Sequence, residues 1–291
     1  MKTLNSLVAS TVLATLMLGA IYVAKNVSTQ KVLGSKSLKT QNTQASQSAK
    51  PKDATPAAII ESEVPTLASG YCLNVPVLMY HHIEPNDAAK AAGHAFLNVD
   101  TGVFESQMAY LSQKGYTAIS ADQLTQALKN HNQLPAKSIV LTFDDGYSDF
   151  YTYAFPVIKK YNLKANIMIP TGLMENSGYM TWNQLKEITA SGTGFVYNHT
   201  WSHANLGNAS LEKIKYEIET ASSQIQKYLG TNPNIFTYPY GSENQTVVNY
   251  LSQNGFVAAF SVIPGTYQCD SNIMLLRRTR VGNSQLSAYG I

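Results

Sequence analysis

The sequence has no basic patch, few charges and only two cysteines, and each scarcity excludes something. Asp, Glu, Lys and Arg make up 13% of the 291 residues, and the net charge is +3. Much of that excess comes from lysines in the first fifty or so residues, so no region carries the electrostatic footprint of a nucleic-acid binder. Cys72 and Cys269 are too few for a thiolate zinc finger. They flank the region that can fold, and in an exported protein either a disulfide or two thiols fits them. No aromatic residue lies between Tyr22 and Tyr71. Residues 25–70, made largely of Ser, Thr, Gln, Lys, Ala and Pro, cannot bury enough apolar surface to offset the entropy of ordering, and read as a flexible linker. No histidine follows His203, which narrows the choice of acids below.

Lys2 precedes an uncharged run from Thr3 to Ala24. Its apolar part is just long enough for a bilayer, which needs about 20 residues. Residues 1–24 therefore read as a membrane anchor or a cleaved signal peptide; Leu18-Gly19-Ala20 is the nearest approach to a cleavage site. Either reading exports the remainder, so the expected location is the cell surface, anchored or secreted. No cysteine follows the run to take a lipid.

Residues 71–291 suit one α/β domain. Short apolar runs at 75–80, 138–143, 165–169, 195–197, 235–238 and 257–263 read as strands, with 116–119 and 275–281 as further candidates. Between them, helical spacing appears at Phe104, Met108 and Leu111, and at Leu211, Ile214, Ile218, Ile225 and Leu229. Ser120 and Thr181 can cap helices. A helix is expected over 151–161, kinked by Pro156. Strands alternating with helices predict a mainly parallel α/β sheet or barrel. In such folds chemistry gathers at the carboxyl ends of strands, where His81, Asp144, Asp145, His199 and Tyr240 fall.

Thr142-Phe143-Asp144-Asp145-Gly146 places two carboxylates at one strand end. His199 and His203, four residues apart, are expected on one face of a helical turn. Two imidazoles and one carboxylate form a divalent-metal set with open positions, where a bound water becomes a nucleophile near neutral pH. The other carboxylate can serve as general base. Gly146 permits the tight turn that lets both converge.

These two motifs, with Phe236-Thr237-Tyr238-Pro239-Tyr240-Gly241, resemble those of the polysaccharide deacetylases, carbohydrate esterase family four, also called the NodB-homology domain. The resemblance covers roughly 75–281 and implies a distorted (β/α) barrel. It further implies that Asp145, His199 and His203 hold the metal, zinc foremost with cobalt or nickel as alternatives, and that Asp144 is the base. The backbone N–H of Tyr240 would help to stabilise the oxyanion, and Pro239 and Tyr240 would touch substrate. Two positions depart from the family pattern. Thr237 stands where an arginine usually steadies the base, and Arg278 is a candidate replacement. The usual late Leu-x-His acid is missing.

Val77-Leu78-Met79-Tyr80-His81-His82-Ile83 resembles the early Tyr-His motif of poly-N-acetylglucosamine deacetylases of the intercellular-adhesin type, in which that histidine is the acid. His81 is therefore the expected acid, with His82 as fallback; His94 and His131 read as solvated loop residues. Trp182 resembles a substrate-lining tryptophan of that subgroup, and a core role fits it equally. The implied function is metal-dependent N-deacetylation of an extracellular N-acetylglucosamine polysaccharide by a monomer tethered to the membrane, with no nucleic-acid partner. The competing readings are a peptidoglycan deacetylase and a surface glycan-binding protein without turnover.

Overall fold

The computed structural model describes residues 70–291. The anchor expected at 1–24, and all but the last residue of the linker expected at 25–70, lie outside the described residues. Among the described residues, no helix is long and apolar enough to cross a membrane.

The first half of the fold runs β1 (Cys72–Asn74), β2 (Val77–Tyr80), β3 (His82–Ile83), α1 (Asn86–Ala92), β4 (Asn98–Val99), α2 (Thr101–Gln113), β5 (Thr117–Ala118), α3 (Ala121–Asn130) and β6 (Ser138–Asp144). The second half runs α4 (Phe155–Lys160), β7 (Ala165–Ile169), α5 (Trp182–Ala190), β8 (Gly194–Asn198), α6 (Leu211–Leu229), β9 (Ile235–Thr237), α7 (Gln245–Gln253), β10 (Ala258–Phe260), β11 (Tyr267–Cys269) and β12 (Thr279–Arg280). One parallel sheet has the order β10-β9-β8-β7-β6-β2-β12, with β5 paired to the start of β6. A parallel bridge between Phe260 and Leu276 brings the stretch before β12 back beside β10, so the sheet curls until its two edges approach.

Side chains alternate along a strand, and the register carries that alternation across the sheet. Val140 on β6 shares a buried cluster with Val77, Met168, Tyr197, Ile235, Ala258 and Phe260, and with Leu124 and Leu128 of α3. Thr142 and Asp144 lie on that same face of β6. The other face presents Leu78, Tyr80, Leu141, Phe143, Ile167 and Ile169 to α2, α4 and α5 through Phe104, Met108, Leu111, Ile158, Leu185 and Ile188. The sheet is thus covered on both faces, as a parallel sheet requires.

The helix signals act where the sequence places them. Ser120 and Thr181 each form a capping box, and Gly230 in the left-handed conformation ends α6. The helix expected over 151–161 is divided: Phe150–Ala154 is a π-helical turn, and α4 begins at Phe155. Pro156 sits in the first turn of α4, where a missing N–H removes no helical hydrogen bond. Cys72 pairs with Cys269 across the antiparallel β1–β11 ladder, and the two form a disulfide. This bond ties together the two ends of the described region, which are 197 residues apart in sequence.

Candidate active site

Four residues of the site lie at the carboxyl ends of parallel strands. His81 follows β2, Asp144 ends β6, His199 follows β8, and Tyr240 occupies the turn Pro239–Gly241 after β9. Tyr80 pairs with Phe143 in the sheet, so His81 and Asp144 are the next residues of neighbouring strands. Simple alternation would point Asp145 away from Asp144. Instead Asp145 and Gly146 both take left-handed conformations, with φ of 72° and 69°, and the chain turns so that both carboxylates reach the site. Asp tolerates this conformation better than most residues. At Gly146 the positive φ itself disfavours any side chain, and an added Cβ would also press on Met174 Cε at 2.7 Å and Ile169 Cγ2 at 3.2 Å.

Asp145 is buried, and its Oδ1 lies 3.4 Å from His199 Nε2 and 3.1 Å from His203 Nε2. That oxygen has no aligned hydrogen-bond donor. A buried carboxylate oxygen facing two ring nitrogens is costly unless something positive joins them, and the His, His, Asp donors suit zinc and related divalent ions. The residues therefore fit the metal that the family resemblance implies. His199 Nδ1 lies 2.8 Å from the Thr237 carbonyl, which can only accept, so Nδ1 carries the proton and Nε2 keeps its lone pair for a ligand. Burial, and then the neighbouring His199, push the His203 imidazole down to about 4, so it is neutral at neutral pH, as a ligand must be. Burial alone would raise the Asp145 carboxyl; the contact and charge of His199, then the charges of His203 and His81, hold it far below the usual carboxylate range.

The two histidines do not share a helical turn, contrary to the expectation from their spacing. Residues 199–204 form a loop in which Thr200 and His203 are left-handed, with φ of 69° and 57°. Glu217 of α6 explains this. Its buried carboxylate accepts the N–H groups of Trp201 at 3.0 Å and Ser202 at 2.8 Å, and the Ser202 hydroxyl at 2.7 Å. On the loop's other side, the N–H groups of Thr171 and Gly172 donate to the carbonyls of Thr200 and Trp201. Side-chain and tertiary hydrogen bonds thus replace the helical ladder. Glu217 positions the loop and belongs to neither motif; its signal in the sequence is an acid on the apolar stripe of α6, between Ile214 and Ala221. Glu217→Ala is expected to leave two backbone N–H groups unsatisfied, costing about 1–3 kcal/mol for a buried group, and to weaken metal binding about 10–100-fold. A zinc titration alongside a denaturation curve checks both effects.

Arg278 is buried and reaches across the concave face of the sheet. Its Nη1 donates to Asp144 Oδ1 at 2.7 Å and to Thr142 Oγ1 at 3.1 Å, and its Nε donates to the Ser261 carbonyl at 2.8 Å. Burial by itself raises the Asp144 carboxyl; the Arg278 charge, with those of His199 and His81, outweighs it and keeps Asp144 ionised below the usual range. Thr237, at the motif's arginine position, turns a buried hydroxyl that finds no partner. His81 is partly buried; burial lowers its pKa, while Asp144 and Asp145 pull it up and Arg278 and Arg280 push it down.

Tyr240 is left-handed at φ 60° and 66% exposed, so its ring stands at the mouth of the site, and its hydroxyl lies 3.0 Å from His203 Nδ1. Pro239 beneath it is buried. Trp182 is also buried, with its indole stacked on Tyr228, an arrangement that the packing role accounts for. His82 is buried and bonded to Asp149. His94 is not the solvated loop residue expected: its ring stacks on His82 and its Nδ1 is buried. His131 is largely exposed, pairs with Asp270 and stacks on Tyr71.

Residues 131–259 match the family model described as polysaccharide deacetylase. The chain is 27% identical over 217 residues to the Bacillus subtilis protein YxkH, covering 74% of this chain and 75% of that one. It is 26% identical over 231 residues to the poly-β-1,6-N-acetyl-D-glucosamine N-deacetylase of Escherichia coli, covering 65% of this chain and only 34% of that protein. Among solved structures, the Streptococcus pyogenes deacetylase PplD, in complex with acetate, superposes with a TM-score of 0.67 at 30% identity, covering 72% of this chain and 92% of its own. With the motifs, the curled parallel sheet and the convergence of Asp144, Asp145, His199 and His203, these likenesses place the chain in the polysaccharide deacetylase family.

Proposed function

We propose that the chain is a metal-dependent N-deacetylase of an exported polysaccharide containing N-acetylglucosamine, of the poly-N-acetylglucosamine kind. The observation that carries this reading is the division of labour between the adjacent carboxylates. Asp145 faces the two imidazoles, and Asp144 is held ionised by Arg278. Asp145, His199 and His203 would hold the cation, which when bound supplies Lewis acidity and makes water a nucleophile near neutral pH.

Asp144 takes the proton of the attacking water. Its pairing with Arg278 fixes both its ionised form and its direction. The Tyr240 N–H, set in a strained turn, donates to the oxyanion as the acetamide carbonyl becomes tetrahedral. His81 stands beside Asp144 and protonates the departing nitrogen, so the C–N bond breaks to give acetate and a free glucosamine amine. All these groups belong to one chain, and a monomer suffices. The apolar run at 3–24 and the Cys72–Cys269 disulfide support an exported, membrane-tethered or secreted location. The likeness to a poly-β-1,6-N-acetyl-D-glucosamine N-deacetylase supports the choice of polymer, although the match spans only about a third of that protein.

The test is acetate release from N-acetylglucosamine oligomers, before and after chelation and again with zinc, cobalt or nickel added back. Release lost on chelation and restored by metal is the expected result. Release from peptidoglycan fragments but not from the oligomers would move the substrate to the cell wall. A folded, metal-loaded chain that releases nothing from either would leave a glycan-binding protein.

A further inference from the structure

We propose that Arg280, held at the mouth of the catalytic cleft, is a specificity-determining residue that selects which sugar units can lie beside the reacting one. The inference rests on the deacetylase reading and deepens it. The guanidinium accepts uncharged N-acetylglucosamine neighbours and disfavours glucosamine in its protonated form, which is the product of the reaction itself.

The register of the sheet places Arg280. β12 lies beside β2, with Thr279 opposite Leu78 and Arg280 opposite Met79. Side chains alternate along a strand, so Arg280 shares the face of Arg278, the concave face on which Arg278 reaches Asp144. It stands two residues nearer the carboxyl end of the strand, where the catalytic groups gather. His81 follows Met79 by the same two residues. Its imidazole is lowered by burial first, and the charge of Arg280 adds to that effect.

The head of the side chain is fixed. Arg280 Nη2 donates to the Phe96 carbonyl at 2.9 Å, and the guanidinium carbon lies 5.8 Å from the centroid of the Phe96 ring. That ring is 75% exposed, the most of any large apolar side chain in the described region. On the other side of β12, the Ile263 carbonyl accepts the Arg278 N–H at 2.9 Å. Val262 packs on the turn that carries Tyr240, so closely that a Cβ on Gly241 would lie 2.2 Å from Val262 Cγ2. Phe96, Ile263, Val262 and Tyr240 are four of the eight exposed large apolar side chains of the described region, and Arg280 stands among them. An exposed apolar rim of this kind marks a surface that receives a ligand, and here it borders the catalytic cleft.

Arg280 carries the charge that the cleft leaves uncompensated. Asp145 faces the imidazoles, and Asp144 is paired with Arg278. Among the described residues, the polar partner of Arg280 is the Phe96 carbonyl, not a carboxylate. An acetamido group is neutral, whereas each acetate released leaves an amine that takes up a proton. A guanidinium beside the reacting sugar repels that ammonium, and it can donate hydrogen bonds to the hydroxyl and acetyl oxygens of an uncharged unit. Chain already deacetylated next to the target is thereby disfavoured, and the amines left behind are spaced along the polymer.

The experiment offers the full, zinc-loaded chain an N-acetylglucosamine oligomer and the same oligomer with one unit already glucosamine, at a pH that keeps the amine protonated. The readout is kcat/KM per acetyl group. Wild type is expected to favour the fully acetylated oligomer by about two- to fivefold, the range of one exposed charge pair, and to lose that preference as salt is raised to about 0.5 M. Arg280→Gln should lose the preference at low salt, and Arg280→Lys should keep most of it. Long digests with Arg280→Gln should contain more adjacent amines than those with wild type. A wild type without the preference, a preference indifferent to salt, or an Arg280→Gln chain that retains it overturns the proposal. The salt series uses wild type alone, so it decides the matter even if the glutamine variant fails to fold. Calorimetric binding of the two oligomers separates this inference from the deacetylase reading. A wild type that releases no acetate sinks that reading, whereas one that binds both oligomers equally at low salt sinks the role of Arg280.

Discussion

Arg278→Ala is expected to destabilise the domain by about 3–5 kcal/mol, the usual cost of stripping one partner from a buried ion pair. The side chains of Arg278 and Asp144 are 1% and 3% exposed, so water cannot replace the lost guanidinium. The same change removes the donor to the Ser261 carbonyl and one partner of Thr142. Its effect on pH dependence has a definite sign. In the native chain the Asp144 carboxyl lies below its unfolded value, so the pair contributes stability above the ordinary carboxylate range and loses it as pH falls through the lowered native pKa. Without Arg278 the effect of burial is opposed less, the carboxyl moves up, and the base becomes protonated at a higher pH. The acid limb of kcat/KM should therefore shift upward, and a denaturation curve should show the lost stability at neutral pH. Arg278→Lys keeps the charge but not the fork that reaches Ser261 and Asp144 together, and should fall between the two. A variant with wild-type stability and an unmoved acid limb would detach Arg278 from the base.

The parts of this molecule legible in its sequence are those set by local pattern. β7 and α6 fall where their apolar spacing predicts, because each buries a face whose period belongs to its own residues. That the carboxylate pair and the two histidines come together was legible, but the conformation of the histidine loop was not. Its spacing reads as a helical turn, and only Glu217, fourteen residues beyond His203, supplies the bonds that hold it otherwise. Arg278 contacts Asp144 across 134 residues, a distance at which no periodicity operates. What pointed to it was a gap, the missing arginine at Thr237. β1, β3, β4 and β11 are too short to carry a pattern of their own, and they form because a partner strand meets them, β11 for β1 from the far end of the region and β4 for β3 across α1. His82 lies on one of these strands and His94 on the excursion that follows it through α1, which is why His94 looked like an ordinary loop residue.

Asp145→Asn and His199→Ala are each expected to abolish acetate release, and the reason is charge and lone pairs rather than shape. Asp145→Asn keeps the volume of the side chain and its place in the left-handed turn. It takes away the one negative charge that faces the two imidazoles, and an amide nitrogen in that position presents hydrogens to a cation. His199→Ala removes a ligand whose tautomer the Thr237 carbonyl had already fixed. Either variant should lose metal at this centre and turnover together. Asp144→Asn makes the contrast: it should keep the metal, because Asp144 is turned toward Arg278, yet lose about 10²–10⁴-fold in rate as a missing general base. Metal content measured beside kcat therefore distinguishes ligand from base, two carboxylates adjacent in sequence that the turn at Asp145 assigns to different tasks. Full turnover in Asp145→Asn would sink the metal assignment. Metal loss in Asp144→Asn would show instead that the two carboxylates share the cation, and that the Arg278 pair holds a ligand rather than a base.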